Sequence, residues 1–293
     1  SYCSHPPTTT TMNSAPNSSF VAPNELSLFT AWRPMLSESS DGKPLATNAS
    51  QLLASFPYDR LPSNPYLSFF LRPEGLAAML AFYLVSKPIM KAVFPLSPKS
   101  PAFRNAVAIH NLALAVFSAV VAWNAWIIAF QHTMTHGAFD TYCDPDGRFW
   151  NESGFGPWAI IFYISKFYEF VDTWILVWKE KEPSFLQVYH HTGIAICMWL
   201  GVVHQAAWLL VPVTLNGMIH TLMYTYFFIK TVSPTTEIKS AKYLTWAQIG
   251  QFIVGIIWSS GCYVLGDECY GTSSKVSLVA FHLYACGLIV LFS

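Results

Sequence analysis

The sequence predicts an all-α polytopic membrane protein with seven transmembrane helices, and three observations predict it. Hydrophobic residues make up 53% of the chain and charged residues only 11%, where soluble domains carry about 25%. So few charges cannot cover a soluble surface, and lipid must be the solvent for much of it. Seven apolar stretches recur along the chain, each near the roughly 20 residues that a bilayer core requires. Basic residues collect in alternate connections between those stretches, as they do in a chain threaded back and forth through a membrane. The formal net charge is zero and the pI near 7, so no basic excess points to nucleic acid as a partner. Six cysteines occur without a CxxC pair, which indicates neither a zinc ribbon nor a thioredoxin-like site.

Residues 1–64 read as a polar, mostly disordered tail. The run "PPTTTTMNSAPNSS" is rich in Thr, Ser, Pro and Asn, which bury too little apolar surface to fold. It lacks the basic start and apolar run of a secretory signal peptide. No methionine opens the chain, so trimming is expected there. Residues 65–293 form the helical domain. The predicted spans are about 75–94, 107–130, 158–178, 187–204, 206–229, 244–264 and 276–292, assigned on length and apolar content. The first is interrupted near its end by Lys87 and Pro88. The fourth and fifth lie so close that they must form a tight hairpin. No internal repeat is visible.

The connections after spans one, three and five carry Lys87, Lys91, Lys99, Arg104, Lys179, Lys181, Lys230, Lys239 and Lys242. Those after spans two and six carry only Arg148 and Lys275. By the positive-inside rule the first set is cytosolic, the N-terminus lies on the far side and the C-terminus is cytosolic. The sequon Asn151-Glu152-Ser153 and Cys143, Cys262 and Cys269 then fall on the far side. That compartment is oxidising if it is the endoplasmic reticulum lumen. A disulfide from Cys143 to Cys262 or Cys269 and free thiols are both open readings.

Ionisable groups within spans are expensive and mark functional sites. The third span holds "KFYEFVDT". At about 100° per residue, Lys166, Glu169, Asp172 and Thr173 share roughly one third of a helix circumference. They form either a ligand anchor or an ion-pair cluster that fixes packing. The fourth span opens with Gln187, His190 and His191, and adjacent histidines in a span are hard to explain by packing alone. In the fifth, Asn216, His220 and Tyr224 recur every four residues as a polar stripe. In the sixth, Thr245, Gln248 and Gln251 recur every three. Interhelical hydrogen bonding explains each stripe in isolation. Four polar faces on seven helices, however, converge only on an interior cavity.

A metal centre is disfavoured by where the histidines fall. His132 and His136 lie at the far-side end of span two, and His190 and His191 near the cytosolic end of span four. At about 1.5 Å per residue the pairs stand a leaflet or more apart. His5, His110, His204 and His282 are scattered. Nucleophile or base is the better role for His190 and His191, and no metal site is assigned.

The four boxes "KFYEFVDT", "QVYHH", "NGMIHTLMY" and "TWAQIGQF" occur in that order on successive spans. Together they resemble the ELO family of fatty acid elongases, the membrane 3-ketoacyl-CoA synthases, from about Glu74 to the C-terminus. The resemblance implies seven helices, six of them arranged as a barrel around an acyl tunnel open to the cytosol. It implies condensation of an acyl-CoA with malonyl-CoA to a 3-ketoacyl-CoA two carbons longer, with release of CO2 and CoA and no cofactor. His190 matches the acyl-accepting position, with His191 and His220 as its catalytic companions. Glu169, Asp172, Gln187, Asn216 and Tyr224 are candidate substrate-binding residues of the same site. Lys166, Gln248 and Gln251 are candidates to meet CoA or the malonyl carboxylate.

The family box usually begins with His, and Gln187 stands there instead, as in some microbial elongases of polyunsaturated chains. Position 187 is therefore not a required base or metal ligand. The basic tail usual in the family is missing after "LIVLFS", so trimming is expected at this end too. The implied setting is the endoplasmic reticulum membrane. Implied partners are acyl-CoA, malonyl-CoA and membrane lipid, with the reductase and dehydratase of the elongation cycle and a second copy of the chain as further candidates. Two other classes stay open: a membrane di-iron desaturase or hydroxylase, and a seven-helix receptor or transporter without chemistry.

Overall fold

Two helix starts in this chain are marked by a capping side chain followed by proline. In the computed structural model, which describes residues 56, 58, 61–94, 96–238, 241–266, 269 and 272–292, the Asn64 side chain accepts from the Tyr66 and Leu67 amides at 3.0 and 3.1 Å. Pro65 takes the first helical position, where its missing N–H is no loss. Helix α1 (Pro65–Leu71) follows, then α2 (Pro73–Val93), which opens on another proline and runs through Lys87 and Pro88. Ser100 Oγ accepts from the Phe103 amide at 3.1 Å and Pro101 starts α3 (Pro101–His136). Gly137, at φ 94°, ends it.

Two short helices, α4 (Ala138–Cys143) and α5 (Arg148–Asn151), lead into α6 (Phe155–Tyr168) and α7 (Phe170–Trp178). The last two correspond to the single third span that hydropathy predicts. Then come α8 (Phe185–Val203), a 3₁₀ turn (Ala207–Leu209), α9 (Leu210–Val232), α10 (Ala241–Val264) and α11 (Thr272–Phe292). Among the described residues every regular element is helical. Most of the predicted 1–64 tail, and Lys239, lie outside the described residues.

Every predicted apolar stretch is helical, and among the described residues four helices are long and apolar enough to cross a membrane: α2, α3, α8 and α11 from Lys275. Span three falls short because its break leaves α6 and α7 with 14 and 9 residues, and spans five and six carry polar faces. Placing Asn216, His220, Gln248 and Gln251 on a helix lowers its mean hydropathy, whichever side those residues face. The helix α3 also extends well past the predicted 107–130, because caps and not hydropathy set its ends.

Packing follows a cyclic order. The helix α3 lies against α9, α9 against α10, α10 against α11, α11 against α8, α8 against α6, and α6 back against α3. Outside that order, α2 rests on α7 and α8. Large apolar side chains such as Val116, Trp123, Trp246, Ile257 and Val290 stand exposed on the outward faces, as expected of surfaces solvated by lipid. The short connections place Lys87, Lys91, Lys99, Arg104, Lys179, Lys181, Lys230 and Lys242 at one end of the molecule.

At the opposite end Cys143 and Cys269 form a disulfide across 126 residues, while Cys262 stays a thiol donating to Tyr142 Oη at 3.3 Å. The double variant Cys143→Ser, Cys269→Ser is expected to lose about 2–5 kcal/mol of stability, read as a lower midpoint of thermal unfolding in detergent. An unchanged midpoint would show that helix packing alone holds this end. Asn151 of the sequon is tied into the fold there: its amide donates to Gly147 O at 2.9 Å and Gln205 Oε1 at 3.4 Å.

Candidate active site

The break between α6 and α7 falls at Glu169. The amide of Asp172 bonds Glu169 O at 3.0 Å, a tightened turn in place of the regular ladder. It carries Lys166, Glu169 and Asp172 into the middle of the helix cluster. Lys166 is fully buried: its Nζ lies 2.7 Å from Glu169 Oε1, 3.4 Å from Asn216 Oδ1 and 3.9 Å from the Phe162 ring centroid. Two partners and an aromatic face offset the desolvation of that ammonium. Lys166 therefore stands behind the cavity wall rather than on it. Glu169 and Asp172 do line the cavity.

The helix α8 presents Gln187, His190 and His191 to the same space. The Gln187 amide nitrogen reaches Thr173 Oγ1 at 3.3 Å and His191 Nε2 at 3.2 Å. The ring of His190 lies 5.5 Å from that of His191 and 6.3 Å from that of His220, centroid to centroid. On α9, His220 Nδ1 approaches Glu169 Oε1 at 3.6 Å, and Tyr224 donates to Asp172 Oδ2 at 2.6 Å. The Asn216 amide donates to Gln251 Oε1 of α10 at 3.5 Å, and Gln248 reaches Met223 Sδ at 3.6 Å. All four boxes thus meet. Among the described residues, Glu169 Oε2, His191 Nδ1 and His220 Nδ1 are buried polar atoms without a hydrogen-bond partner, a costly state for a group with only a structural role.

These side chains line a cavity of about 710 Å³. At its rim stand Lys99, Arg104, Lys179 and Lys230, contributed by the start of α3, the end of α7 and the end of α9. Burial, and then the neighbouring charge of Lys181, lowers the Lys179 ammonium below its ordinary pKa, so the rim favours an anion that would relieve the crowding. Six residues separate His190 from Ser184 at the start of α8, which puts it about 9 Å in from that end. Past His190 a narrow crevice of about 20 Å³ continues between Ile194, Val211, Leu215, Phe252, Phe281 and Tyr284. His190, Asn216, Gln251 and Phe252 border both spaces, so His190 sits where the large cavity, which gathers the charged and amide side chains of the four boxes, meets an apolar crevice.

Three partners escape a reading by boxes. His110, on α3, places Nε2 2.8 Å from Asp172 Oδ1, so Asp172 is held by His110 and Tyr224 together. Tyr83 Oη lies 2.9 Å from Thr173 Oγ1. Tyr284, on α11, lies 2.9 Å from His190 Nδ1. Each belongs to none of the four boxes, and nothing in its local spacing marks it as a partner of the site. His132 and His136 stack at 4.4 Å at the other end of α3. Among the described residues no three His, Cys, Asp or Glu side chains are grouped as metal ligands.

The profile of the family described as ELO: GNS1/SUR4 family matches residues 69–293. A protein of Dictyostelium discoideum named fatty acid elongase sre1 is 35% identical over 163 residues, 55% of this chain. The chain spans 59% of that relative's length. A putative fatty acid elongase of the same organism is 31% identical over 217 residues, 71% of this chain and 69% of its own. Long chain fatty acid elongase 2 of Caenorhabditis elegans is 27% identical over 223 residues, 76% and 77% of the two chains.

Proposed function

The chain belongs to the ELO: GNS1/SUR4 family, and from that premise we propose that it is the condensing enzyme of fatty acid elongation, joining an acyl-CoA to malonyl-CoA. The observation that carries this reading is His190 between a cavity that carries Lys99, Arg104, Lys179 and Lys230 and an apolar crevice. A CoA thioester has that division: phosphates at one end, hydrocarbon at the other, and the reacting carbonyl between. In this reading the rim cations take the phosphates, and the acyl chain enters along the crevice past His190 as its apolar walls part, since about 20 Å³ is no more than the space of one water.

The chemistry proceeds in two halves. The His190 lone pair attacks the thioester carbonyl, the C–S bond breaks, and the CoA thiolate departs and takes a proton from solvent. Malonyl-CoA then loses CO2, and the enolate left behind attacks the acyl carbon. The C–N bond returns its electron pair to His190, and the 3-ketoacyl-CoA leaves two carbons longer. The unpartnered Nδ1 of His191 suits it as a donor to the oxyanion or the enolate. Glu169 beside His220 would hold that ring in place. Lys166, behind the wall, acts on substrate only through Glu169 and Asn216.

The cyclic helix order supports seven spans with six as a barrel around an acyl tunnel. The cationic end supports a cytosolic mouth, in the endoplasmic reticulum membrane. The disulfide supports a lumenal location for the opposite end. Because Asn151 is engaged in the fold, orientation is best mapped with a sequon inserted in the adjoining loop. Its modification only from the cytosolic side would reverse the topology. Gln187 supports polyunsaturated acyl chains as preferred substrates. Purified protein with malonyl-CoA and a panel of saturated and unsaturated acyl-CoAs, read by product mass, tests both activity and preference. No product and no CO2 from any member would remove the reading.

Trp208 is a candidate floor for the acyl chain, behind Phe281 of the crevice wall. It is buried, stacks on Phe281 at 5.1 Å and donates to Ser277 Oγ at 3.3 Å, so it is not a lipid-facing anchor. Trp208→Ala is expected to shift the product ceiling to longer chains, since the indole fills the space beyond Phe281. Identical product lengths would place the floor elsewhere.

A further inference from the structure

We propose that Tyr284 is a positioning residue that holds His190 as its Nδ1–H tautomer and leaves Nε2 as the atom that accepts the acyl group. The proposal rests on the reading of His190 as acyl acceptor and deepens it. The Tyr284 hydroxyl lies 2.9 Å from His190 Nδ1 and donates to the carbonyl oxygen of His190 itself at 3.1 Å. A carbonyl only accepts, and a phenol carries one proton. With that proton committed to the carbonyl, the hydroxyl meets Nδ1 as an acceptor, so Nδ1 bears the hydrogen. In a neutral imidazole the lone pair then resides on Nε2. No hydrogen-bond partner of Nε2 is found among the described residues, and the ring borders the cavity.

The seat of Tyr284 is built for a fixed side chain. A Cβ at Gly193 on α8 would stand 2.3 Å from Tyr284 Cε2, and one at Gly287 on α11 would stand 2.3 Å from Tyr189 Oη. The two tyrosine rings stack at 5.6 Å. Facing helices thus fill each other's glycine gaps with an aromatic side chain. Tyr284, buried in that seam, has no room to swing away from His190.

The tautomer matters for the group transfer. Attack by the Nε2 lone pair forms the C–N bond and breaks the C–S bond, and the thiolate leaves with the electron pair. The acylated ring keeps its Nδ1 hydrogen and carries a positive charge. Tyr284 Oη then accepts a charge-assisted hydrogen bond, stronger than the one in the resting state. When the enolate takes the acyl carbon, the electron pair returns to Nε2 and the ring is neutral again. The opposite tautomer would present an N–H to the thioester and no lone pair.

The test uses the full chain in detergent or nanodiscs. The ¹⁵N spectrum of histidine-labelled protein, assigned by difference with His190→Ala, is expected to show a protonated Nδ1 and an unprotonated Nε2 at His190. Tyr284→Phe is expected to mix the tautomers and to lower kcat for condensation roughly 10- to 100-fold, as for loss of a hydrogen bond to a charged group. KM for both substrates should stay within about twofold, since ground-state binding is untouched. Tyr189→Phe, which removes a hydroxyl from the same seam without touching His190, should leave kcat unchanged. A resting His190 protonated on Nε2 overturns the proposal, and this measurement on the parent protein decides even if Tyr284→Phe fails to fold. An unchanged tautomer with an unchanged rate in Tyr284→Phe overturns it as well. A Tyr284-dependent Nδ1–H tautomer in a protein that releases no CO2 from malonyl-CoA upholds the tautomer assignment and overturns the reading of His190 on which the rest is built.

Discussion

Replacing His190 with alanine is expected to abolish condensation, by roughly 10⁴-fold or more, on the scale of losing a nucleophile whose neighbours remain. No other ring can take over. His191 Nε2 already faces the Gln187 amide at 3.2 Å, and the His220 ring stands 6.3 Å away, beside Glu169. The fold should survive, because His190 borders the cavity and α8 is held by its packing on α6 and α11. The assay is product formation from acyl-CoA and malonyl-CoA, with thermal unfolding as the folding control. Intact mass after acyl-CoA alone should show an adduct on the parent and none on the variant. A well-folded His190→Ala protein that still condenses would remove His190 from the nucleophile's role.

The Lys166→Met variant should suffer the largest loss of stability, about 3–5 kcal/mol, because it leaves the Glu169 carboxylate buried without its cation. Both partners are essentially excluded from solvent, at 0% and 2% side-chain exposure, so water cannot take the place of the missing charge. Adding Glu169→Gln should restore much of the stability, since neutralising both members removes the uncompensated charge. Activity should not return with it, because His220 then faces an amide where it had a carboxylate 3.6 Å from Nδ1. The checks are denaturation midpoints of the single and double variants and kcat for the double. A Lys166→Met protein as stable as the parent would mean that the pair contributes nothing. A double variant with full activity would leave Glu169 with a packing role only.

Much of the fold can be read without coordinates. Apolar runs of bilayer length mark where helices lie, since hydrocarbon tolerates few other backbones. Every predicted run is a helix, although its ends follow caps such as Asn64 and Ser100 rather than hydropathy. The continuous third span was wrong in one respect: the chain breaks at Glu169, and a polar cluster on a predicted helix gives no sign of whether the ladder stays regular there. The convergence of Glu169, His190, His220 and Gln251 was legible because helical spacing puts each box on one face, and polar faces in lipid have only one another to meet.

What the sequence determined by itself is the family, the helical class and the polar faces, because each depends on residues within one or two turns of each other. What the tertiary structure decided is who touches whom. Lys166 looked like a substrate contact and is instead locked behind the wall against Glu169, Asn216 and Phe162. His110 looked incidental and holds Asp172 across 62 residues of chain. Tyr284 carried no motif and meets His190 across 94. Spacing along a helix tells which way a side chain points, but its partner is set by how two helices approach. At the α8–α11 seam that approach depends on the missing Cβ atoms of Gly193 and Gly287, which have meaning only once the two helices are side by side.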